Sequence, residues 1–262
     1  MDLGLKDKVV MITGGSRGLG AASARLFCAE GARVALVARS LERMKTVVEE
    51  VKHAGHAVPL MHVADLTQER AADDAAEAIL RQLGRIDVLV SCAGASQGGP
   101  FRDISDSVWR DSFELKFMGT VRALRAVLPI MKRQQSGRVV LVAGNTGRQP
   151  EPRMLPGATA NAALLALTRG LAEEVAPDGI VINAVNPGPT RTERWTSLMS
   201  SLATRSGQSV EQVEAGYIRN IPLGRLGEPA EIARHIVYLA SDAAGNMTGA
   251  CITADGGATR VI

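Results

Sequence analysis

Aromatic side chains are scarce in this sequence of 262 residues. Only 3% of the positions are aromatic, and they comprise four phenylalanines, two tryptophans and two tyrosines. The hydrophobic fraction is nevertheless 46%, which is enough for a sizeable core. Alanine, valine, leucine and isoleucine must therefore fill that core.

Cysteine is almost as scarce as tyrosine. The three cysteines, Cys28, Cys92 and Cys251, are odd in number, far apart and without a CxxC pair. The four histidines show no HExxH-like spacing. These absences argue against a disulfide framework and against a metal site, and they favour a reducing, cytoplasmic environment.

Charge and hydropathy argue against two further classes of protein. Thirty basic and 27 acidic residues give a formal net charge of +3 without a long run of like charge, which argues against nucleic acid or an anionic membrane as the main partner. The first residues lack the apolar core of a signal peptide. The longest uncharged stretch near the middle, residues 154–168, contains Pro156, Gly157 and Asn161 and is too short to span a bilayer.

Short β-branched runs alternate with longer stretches that are rich in alanine and leucine. Nearly continuous apolar strands in strict βαβ alternation are typical of a parallel sheet that is covered on both faces. The sequence therefore predicts a single α/β domain over residues 1–262, a Rossmann-type, three-layer, doubly wound sheet of about seven strands. The predicted strands are 8–13, 33–38, 58–63, 86–91, 138–143, 180–185 and 250–253, and the predicted helices are 18–30, 41–54, 67–83, 105–133, 157–176 and 229–241, with less regular helical stretches at 193–206 and 209–219.

Residues 189–228 interrupt this alternation. The segment is polar and contains Pro222, Gly224 and Gly227. Because ligands of doubly wound folds lie beyond the carboxyl ends of the strands, a segment that follows a late strand can cover the ligand. We interpret it as a substrate lid, with a plain surface excursion as the alternative. Three of its side chains indicate a partly apolar small-molecule substrate: Trp195, Met199 and Leu202.

A glycine-rich turn, TGGSRGLG at residues 13–20, follows the first predicted strand and opens the first predicted helix. Glycine lets the backbone turn tightly and approach a diphosphate, and the helix N-terminus offers N–H groups to its negative charge. A glycine-rich string alone is weak evidence of a nucleotide site. Its place within a βαβ unit indicates that the turn binds a nicotinamide dinucleotide.

The end of the second predicted strand indicates which dinucleotide is preferred. NAD-binding proteins usually have an acidic residue there for the ribose hydroxyls, whereas this chain has Ala38 followed by Arg39, with Arg17 available from the turn. Two guanidinium groups can form bidentate hydrogen bonds to a 2′-phosphate. We therefore expect NADP(H) to be preferred over NAD(H), although either arginine alone could be a solvated surface charge.

These and further motifs resemble those of the short-chain dehydrogenase/reductase family over essentially the whole chain. The turn matches the family's TGxxxGxG, Asp65-Leu66 matches its adenine-contacting pair, and SCAG at 91–94 resembles its NNAG. NPGPTRT at 186–192 resembles the segment beside the nicotinamide carboxamide, and RLGEP at 225–229 and DGG at 255–257 match its C-terminal landmarks. The resemblance implies a cofactor-binding set of Gly14, Ser16, Arg17, Gly18, Leu19, Gly20, Arg39, Ser40, Asp65, Leu66, Cys92, Ala93, Gly94, Pro187, Gly188, Thr190 and Thr192.

The family's catalytic residues have no counterpart in this sequence. Family members reduce carbonyls or oxidise alcohols with a tyrosine acid/base, a lysine four residues later, an upstream serine and an upstream helical asparagine. NAALLALTR at 161–169 is similar to the family's KAALxxLTR, which puts Asn161 at the lysine position and Gly157 at the tyrosine position. By the same alignment Gly144 replaces the serine and Lys116 replaces the asparagine.

Neither tyrosine restores the motif. Tyr217 lies in the predicted lid and Tyr238 in a late helix, and no YxxxK occurs anywhere in the chain. Loss of a general acid typically lowers the rate ~10²–10⁴-fold, and loss of oxyanion donors a further ~10²–10³-fold. Efficient carbonyl reduction by the family's usual residues is therefore not expected.

Three interpretations of the function stay open. The first is an oxidoreductase with a rebuilt active site, in which Lys116 is the candidate acid/base because desolvation could lower its pKa; a lysine that snorkels at a helix interface is the alternative. The second is a lyase, cyclase or isomerase on the same scaffold, and the third is a catalytically silent subunit or cofactor-binding protein. Glu151 and Arg153, in the loop before Gly157, could also face the pocket or be solvated loop charges. Asn145 and Thr146 could supply hydrogen bonds near the position of the lost serine or simply satisfy a turn.

The resemblance also implies an oligomer, because family members usually assemble through the two long helices, here 105–133 and 157–176. Ala158, Ala162 and Ala166 form a small-residue face that suits close helix packing, either between subunits or against the chain's own sheet. We expect a homotetramer or homodimer. A hetero-oligomer with a catalytically active homologue is the alternative.

Overall fold

The structure is a computed structural model and describes residues 2–94 and 97–261, which contain seven strands and nine α-helices. The strands are β1 (Val9–Thr13), β2 (Arg33–Ala38), β3 (Leu60–Val63), β4 (Val88–Ser91), β5 (Gly137–Val142), β6 (Ile180–Pro187) and β7 (Cys251–Ala254). The helices are α1 (Gly18–Ala29), α2 (Leu41–His53), α3 (Ala71–Leu83), α4 (Asp106–Phe113), α5 (Gly119–Gln134), α6 (Leu155–Val175), α7 (Glu193–Ser206), α8 (Val210–Ile218) and α9 (Pro229–Ala240).

All strand pairings within this sheet are parallel, and the strand order is β3-β2-β1-β4-β5-β6-β7. The order reverses at β1, where Thr13 is in register with Val37 of β2 on one side and with Ser91 of β4 on the other. Crossovers on the two sides of this point diverge and leave a crevice beyond the carboxyl ends of the strands. The predicted doubly wound parallel sheet is confirmed, and the crevice is where a ligand is expected.

Two apolar clusters cover the two faces of the sheet. Alternate residues of a strand point to opposite faces, so Leu36 packs with Phe27 in the cluster that includes α1, α2 and α9. Met11 packs with Met131 in the cluster that includes α3, α5 and α6. Full burial of each such side chain contributes roughly 1.5–3 kcal/mol. The three-layer arrangement predicted from the apolar strands is therefore present.

Two predicted helices have different bounds in the structure. The helix predicted over 67–83 begins at Ala71, because the Asp65 carboxylate accepts hydrogen bonds from the Thr67 backbone N–H (3.1 Å) and hydroxyl (2.9 Å) and holds the preceding residues in a turn. The helix predicted over 105–133 is not a single α-helix. A π-helical turn, Glu114–Met118, separates α4 from α5 and contains Lys116.

Residues 189–228 contain α7 and α8, which pack around a small apolar cluster of their own. The cluster centres on Trp195, Met199, Ile221 and Leu226. Thr192 caps the N-terminus of α7 by accepting a hydrogen bond from the Trp195 backbone N–H at 3.3 Å. This segment therefore has its own packing and lies beyond the end of β6.

None of the helices in residues 2–94 and 97–261 is both long and apolar enough to cross a membrane. In the same residues, no group of three or more histidine, cysteine, aspartate or glutamate side chains is arranged to hold a metal ion.

Candidate functional site

A cleft of about 450 Å³ lies beyond the carboxyl ends of the strands, beside the point where the strand order reverses. Its walls come from the ends of β1, β2, β4, β5 and β6 and from the start of α7. Every residue of the predicted cofactor-binding set lines it: Gly14, Ser16, Arg17, Gly18, Leu19, Gly20, Arg39, Ser40, Asp65, Leu66, Cys92, Ala93, Gly94, Pro187, Gly188, Thr190 and Thr192.

The glycine-rich turn forms one wall of the cleft and has the shape that a diphosphate needs. Gly14 has a φ of +67°, and a Cβ there would lie 2.8 Å from the Ala93 backbone nitrogen. At Gly18, by contrast, the nearest atom to an added Cβ is Thr192 Cγ2 at 3.7 Å, so space remains above the backbone. No side chain caps the N-terminus of α1, which leaves its first N–H groups available to an anion. These residues fit a dinucleotide.

Three exposed arginines surround the end of β2, where the adenosine ribose of a dinucleotide would lie. Arg39 and Arg17 belong to the predicted set, and Arg43 is an addition that lies one turn further along α2. The Glu193 carboxylate pairs with Arg43 at 2.8 Å and lies 3.8 Å from Arg17. Arg43, in the first turn of the helix predicted to follow that strand, was the signal in the sequence for the third arginine.

Three of the four positions that the sequence predicts to align with the family's catalytic residues lie at the opposite end of the cleft. Lys116, Gly144 and Asn161 line it, whereas Gly157 is buried in the first turn of α6 and is not among the lining residues of the described chain. The Asn161 amide donates to the Thr146 hydroxyl at 2.9 Å. A Cβ on Gly144 would lie 2.6 Å from Asn161 Nδ2, so the asparagine side chain occupies the space that a side chain at position 144 would need.

The Lys116 ammonium is the cation at this end of the cleft. It donates one hydrogen bond to the Ala143 carbonyl oxygen at 2.8 Å, which leaves two of its protons for a ligand. Burial among protein atoms, assisted by the positive charge of Arg194, lowers the pKa of Lys116 to about 7. The neighbouring Cys92 thiol cannot offset this as an anion near neutral pH, because burial raises its pKa to about 12.

Side chains from α7, α8 and the loop before α6 form the outer wall. Tyr217 and Trp195 meet edge to face with ring centroids 5.4 Å apart. Burial raises the pKa of the Glu151 carboxyl, and burial followed by the charge of Glu151 raises the pKa of the Tyr217 phenol. Of the side chains expected from the sequence to face a ligand here, Trp195 and Glu151 line the cleft, whereas the described lining residues do not include Met199, Leu202 or Arg153. Met199 and Leu202 pack within the apolar cluster of α7 and α8 instead. Tyr217, which was predicted only to lie in the lid, is an addition, and the scarcity of tyrosine could have drawn attention to it.

Arg194, in the first turn of α7, is a second lining residue that sequence reasoning missed. Its Nη1 donates to the Gly94 carbonyl oxygen at 3.3 Å. The sequence shows that Arg194 follows a late predicted strand and lies at the start of a predicted helix. The direction of its side chain depends on how α7 packs, so it could not be predicted from the sequence.

The cleft therefore joins a glycine-rich turn that fits a diphosphate, a cationic middle and a partly apolar outer wall. Cations at both ends suit a negatively charged ligand, and an ammonium with a pKa near neutrality can give or take a proton.

Comparison with known proteins agrees with this architecture. Residues 14–259 match the family described as enoyl-(acyl carrier protein) reductase. The chain is 36% identical to the uncharacterized oxidoreductase YvrD of Bacillus subtilis (strain 168), with 99% of each chain covered. It is 31% identical to the 3-oxoacyl-[acyl-carrier-protein] reductase FabG of Aquifex aeolicus (strain VF5), with 98% of this chain and 99% of the relative covered.

A solved structure of similar shape is that of L-sorbose reductase from Gluconobacter frateurii in complex with NADPH and L-sorbose. The two structures superpose with a TM-score of 0.94 at 29% identity, and each chain is covered in full.

Proposed function

The chain belongs to the short-chain dehydrogenase/reductase family, and from that premise we propose that it is an NADP(H)-dependent oxidoreductase that interconverts a carbonyl compound and its alcohol. The cleft with the phosphate-binding turn supports the cofactor. The structural similarity to an L-sorbose reductase in complex with NADPH supports both the cofactor and the reaction class.

We propose NADP(H) rather than NAD(H) because of the charge at the adenosine end. Arg17, Arg39 and Arg43 line the cleft there. Each guanidinium can donate two parallel hydrogen bonds to a phosphate, and β2 ends on Ala38 without a carboxylate for ribose hydroxyls. In this proposal Asp65 and Leu66 contact the adenine, and Thr190 and Thr192 contact the nicotinamide side of the cofactor.

The proposed chemistry departs from the family's usual residues. At the tetrad-equivalent positions Gly144 and Gly157 have no side chain, and the Asn161 amide has no proton to transfer at neutral pH. Lys116 is therefore the proposed acid/base. The observation that carries this assignment is that its ammonium lines the cleft and donates one hydrogen bond, to the Ala143 carbonyl, at 2.8 Å.

Lys116 supplies the proton that carbonyl reduction requires. A bound reduced nicotinamide would supply a hydride to the carbonyl carbon. As the carbonyl oxygen becomes negatively charged, Lys116 gives it one ammonium proton, and the resulting neutral amine is reprotonated by a hydronium ion or buffer acid from bulk solvent, so that the net reaction consumes one proton. In the oxidation direction, the neutral amine takes the proton of the alcohol hydroxyl.

The outer wall suits a small, partly apolar substrate, with residues 189–228 as its lid. Trp195, Leu198 and Met154 provide apolar surface, and Tyr217 and Glu151 provide polar groups at its edge. A cytoplasmic protein of one domain is consistent with this assignment.

For the assembly we propose a homotetramer or homodimer formed through the helical face that contains α5 and α6. Ala162 and Ala166 are exposed on α6, whereas Ala158 is buried within the chain. Two of the three small residues are therefore free to pack against a second subunit.

The test is NADPH oxidation, followed by absorbance, with a panel of ketones and ketoses that includes L-sorbose. We expect turnover by the wild type and a loss of ~10²–10⁴ in kcat for Lys116→Met, with the affinity for NADPH retained. Lys132→Met is the matched control, because Lys132 pairs with Asp178 on the surface, away from the cleft. Absence of turnover with every carbonyl would overturn the proposed reaction, and unchanged turnover in Lys116→Met would overturn the assignment of the acid.

A further inference from the structure

Arg194 occupies the middle of the cleft without an anionic partner. It is the second residue of α7, whose N-terminal cap, Thr192, faces Gly18 of the phosphate-binding turn. From there its guanidinium reaches the carbonyl of Gly94, which follows β4. The side chain thus crosses from the end of β6 towards the end of β4, over the crevice where the strand order reverses.

Two cations interact electrostatically with Arg194. Crowding by protein atoms and then the charge of Arg17, on the side of the turn, lower the pKa of Arg194, and on the other side Arg194 contributes to the lowered pKa of Lys116. The Glu193 carboxylate pairs with Arg43 and lies near Arg17 instead. Arg194 therefore lies between the turn and the proposed acid, where a bound anion would offset the repulsion between these cations.

Neighbouring arginines of the same region do have carboxylate partners. Arg191 pairs with Glu228 at 3.0 Å, and Arg43 pairs with Glu193 at 2.8 Å. Across residues 2–94 and 97–261, by contrast, no carboxylate forms an ion pair with Arg194. Its guanidinium is exposed to the open cleft and keeps donors for a ligand, because a single bond to the Gly94 carbonyl uses one of its five N–H groups.

We propose that Arg194 binds the diphosphate of the dinucleotide and thereby attaches the first turn of α7 to the bound cofactor. A dinucleotide that runs from the Arg39 end to Lys116 must pass the turn with its diphosphate, which is where Arg194 lies. The planar guanidinium matches phosphate oxygens in a bidentate fashion. This inference rests on the dinucleotide binding of the proposed function but not on turnover.

The proposal has a consequence for the acid. A bound diphosphate offsets the charge of Arg194, so one of the causes that lower the pKa of Lys116 is removed. The cofactor would then restore the protonated form of Lys116, which is the form that reduction needs.

The experiment measures ligand affinity by calorimetry for the wild type, Arg194→Ala and the matched control Arg191→Ala. NADPH, NADH and ADP-ribose contain the diphosphate, whereas the fourth ligand, 2′-AMP, contains the 2′-phosphate and no 5′-phosphate. We expect Arg194→Ala to weaken binding of the first three by a similar factor, roughly 10- to 100-fold, and to change the affinity for 2′-AMP by less than about twofold. Arg191→Ala should bind all four as the wild type does.

Other results would contradict the proposed role of Arg194 or the proposed reaction. If Arg194→Ala binds NADPH and ADP-ribose like the wild type, Arg194 does not hold the diphosphate, and a weakened affinity for an anionic substrate alone would assign it to the substrate instead. A wild type that binds these nucleotides without oxidising NADPH would remove the proposed reaction and leave the role of Arg194 intact. A well-folded wild type that binds none of the four would overturn both proposals.

Discussion

At the scale of single residues, the proposed mechanism uses an amine for the proton transfer that a phenol performs in the family. A phenol needs a neighbouring cation to lower its pKa towards neutrality, whereas burial and like charge lower that of a lysine. The π-helical turn contains Lys116, which lines the cleft, and Asn161 occupies the space that a side chain at position 144 would need. The residues at these positions are thus sterically compatible with one another.

The pH dependence of catalysis follows from the Lys116 pKa of about 7. Reduction needs the protonated ammonium, so kcat/KM for the carbonyl should fall as pH rises through that value, at a somewhat higher pH once NADPH offsets the charge of Arg194. Oxidation of the alcohol needs the neutral amine, so its kcat/KM should rise through the same range. Initial rates in both directions between about pH 6 and pH 9 test this. Profiles that change in the same direction would show that a different group transfers the proton.

At the scale of elements, the junction of β1 and α1 demands glycine in a way that α8 does not. Gly14→Ala should destabilise the protein by ~1–3 kcal/mol, because φ is +67° and the new Cβ would lie 2.8 Å from the Ala93 backbone nitrogen. Gly216→Ala is the matched control: Gly216 lies within α8, no atom lies within 4 Å of its added Cβ, and the change should stabilise by ~0.5–1 kcal/mol. Urea unfolding of both variants measures the two effects, and equal signs would contradict the prediction.

Elements that depend on local pattern could be predicted from the sequence. Continuous apolar runs located each of the seven strands to within about two residues, as for β2. A strand that is buried on both faces is a short run of apolar residues, which is easily recognised in the sequence. The start of α3 at Ala71 depends on a side-chain bond from Thr67 to Asp65. The π-helical turn depends on a single extra residue in a helix whose apolar periodicity hardly changes. Neither the start of α3 nor the π-helical turn can be recognised from the periodicity of apolar residues in the sequence.

Sequence motifs predicted which residues lie together in the candidate site. The seventeen predicted cofactor residues lie in one cleft because they follow the ends of adjacent strands. Arg194 and Tyr217 were not found, because their participation depends on the packing of α7 and α8 around Trp195 and not on any local motif. The direction in which a lid side chain points is a tertiary property.

At the scale of the whole molecule, Lys116 links global stability to pH. Its pKa is about 7 in the folded protein and near the ordinary value of 10.5 in the unfolded chain, so between these values the unfolded chain binds more protons. The free energy of unfolding should therefore rise with pH in this window, by less than about 1.4 kcal/mol per pH unit from this group. Below about pH 7 both states are protonated and the full cost of burying the charge remains.

Denaturant unfolding of the wild type and Lys116→Met between pH 7 and pH 9 isolates this contribution. Above pH 9 the Cys28 and Cys92 thiols, whose pKa values are raised from 9.0 to about 12 by burial, act in the opposite direction. We expect the difference in unfolding free energy between wild type and variant to change with pH in favour of the wild type. Parallel curves would mean that the Lys116 ammonium is as well solvated in the folded protein as in the unfolded chain.

Helix α1, which presents the phosphate-binding turn, packs against α9 from the far end of the sequence, with Ala21 and Phe27 in the same cluster as Ile232 and Ile236. Translation at ~5–20 residues per second delivers α9 roughly 10–40 seconds after α1 leaves the ribosome. During that interval α1 can already pack on β1, β2 and α2, but the part of its surface that α9 covers stays open. We therefore expect the nascent chain to bind a nucleotide stably only after α9 has emerged.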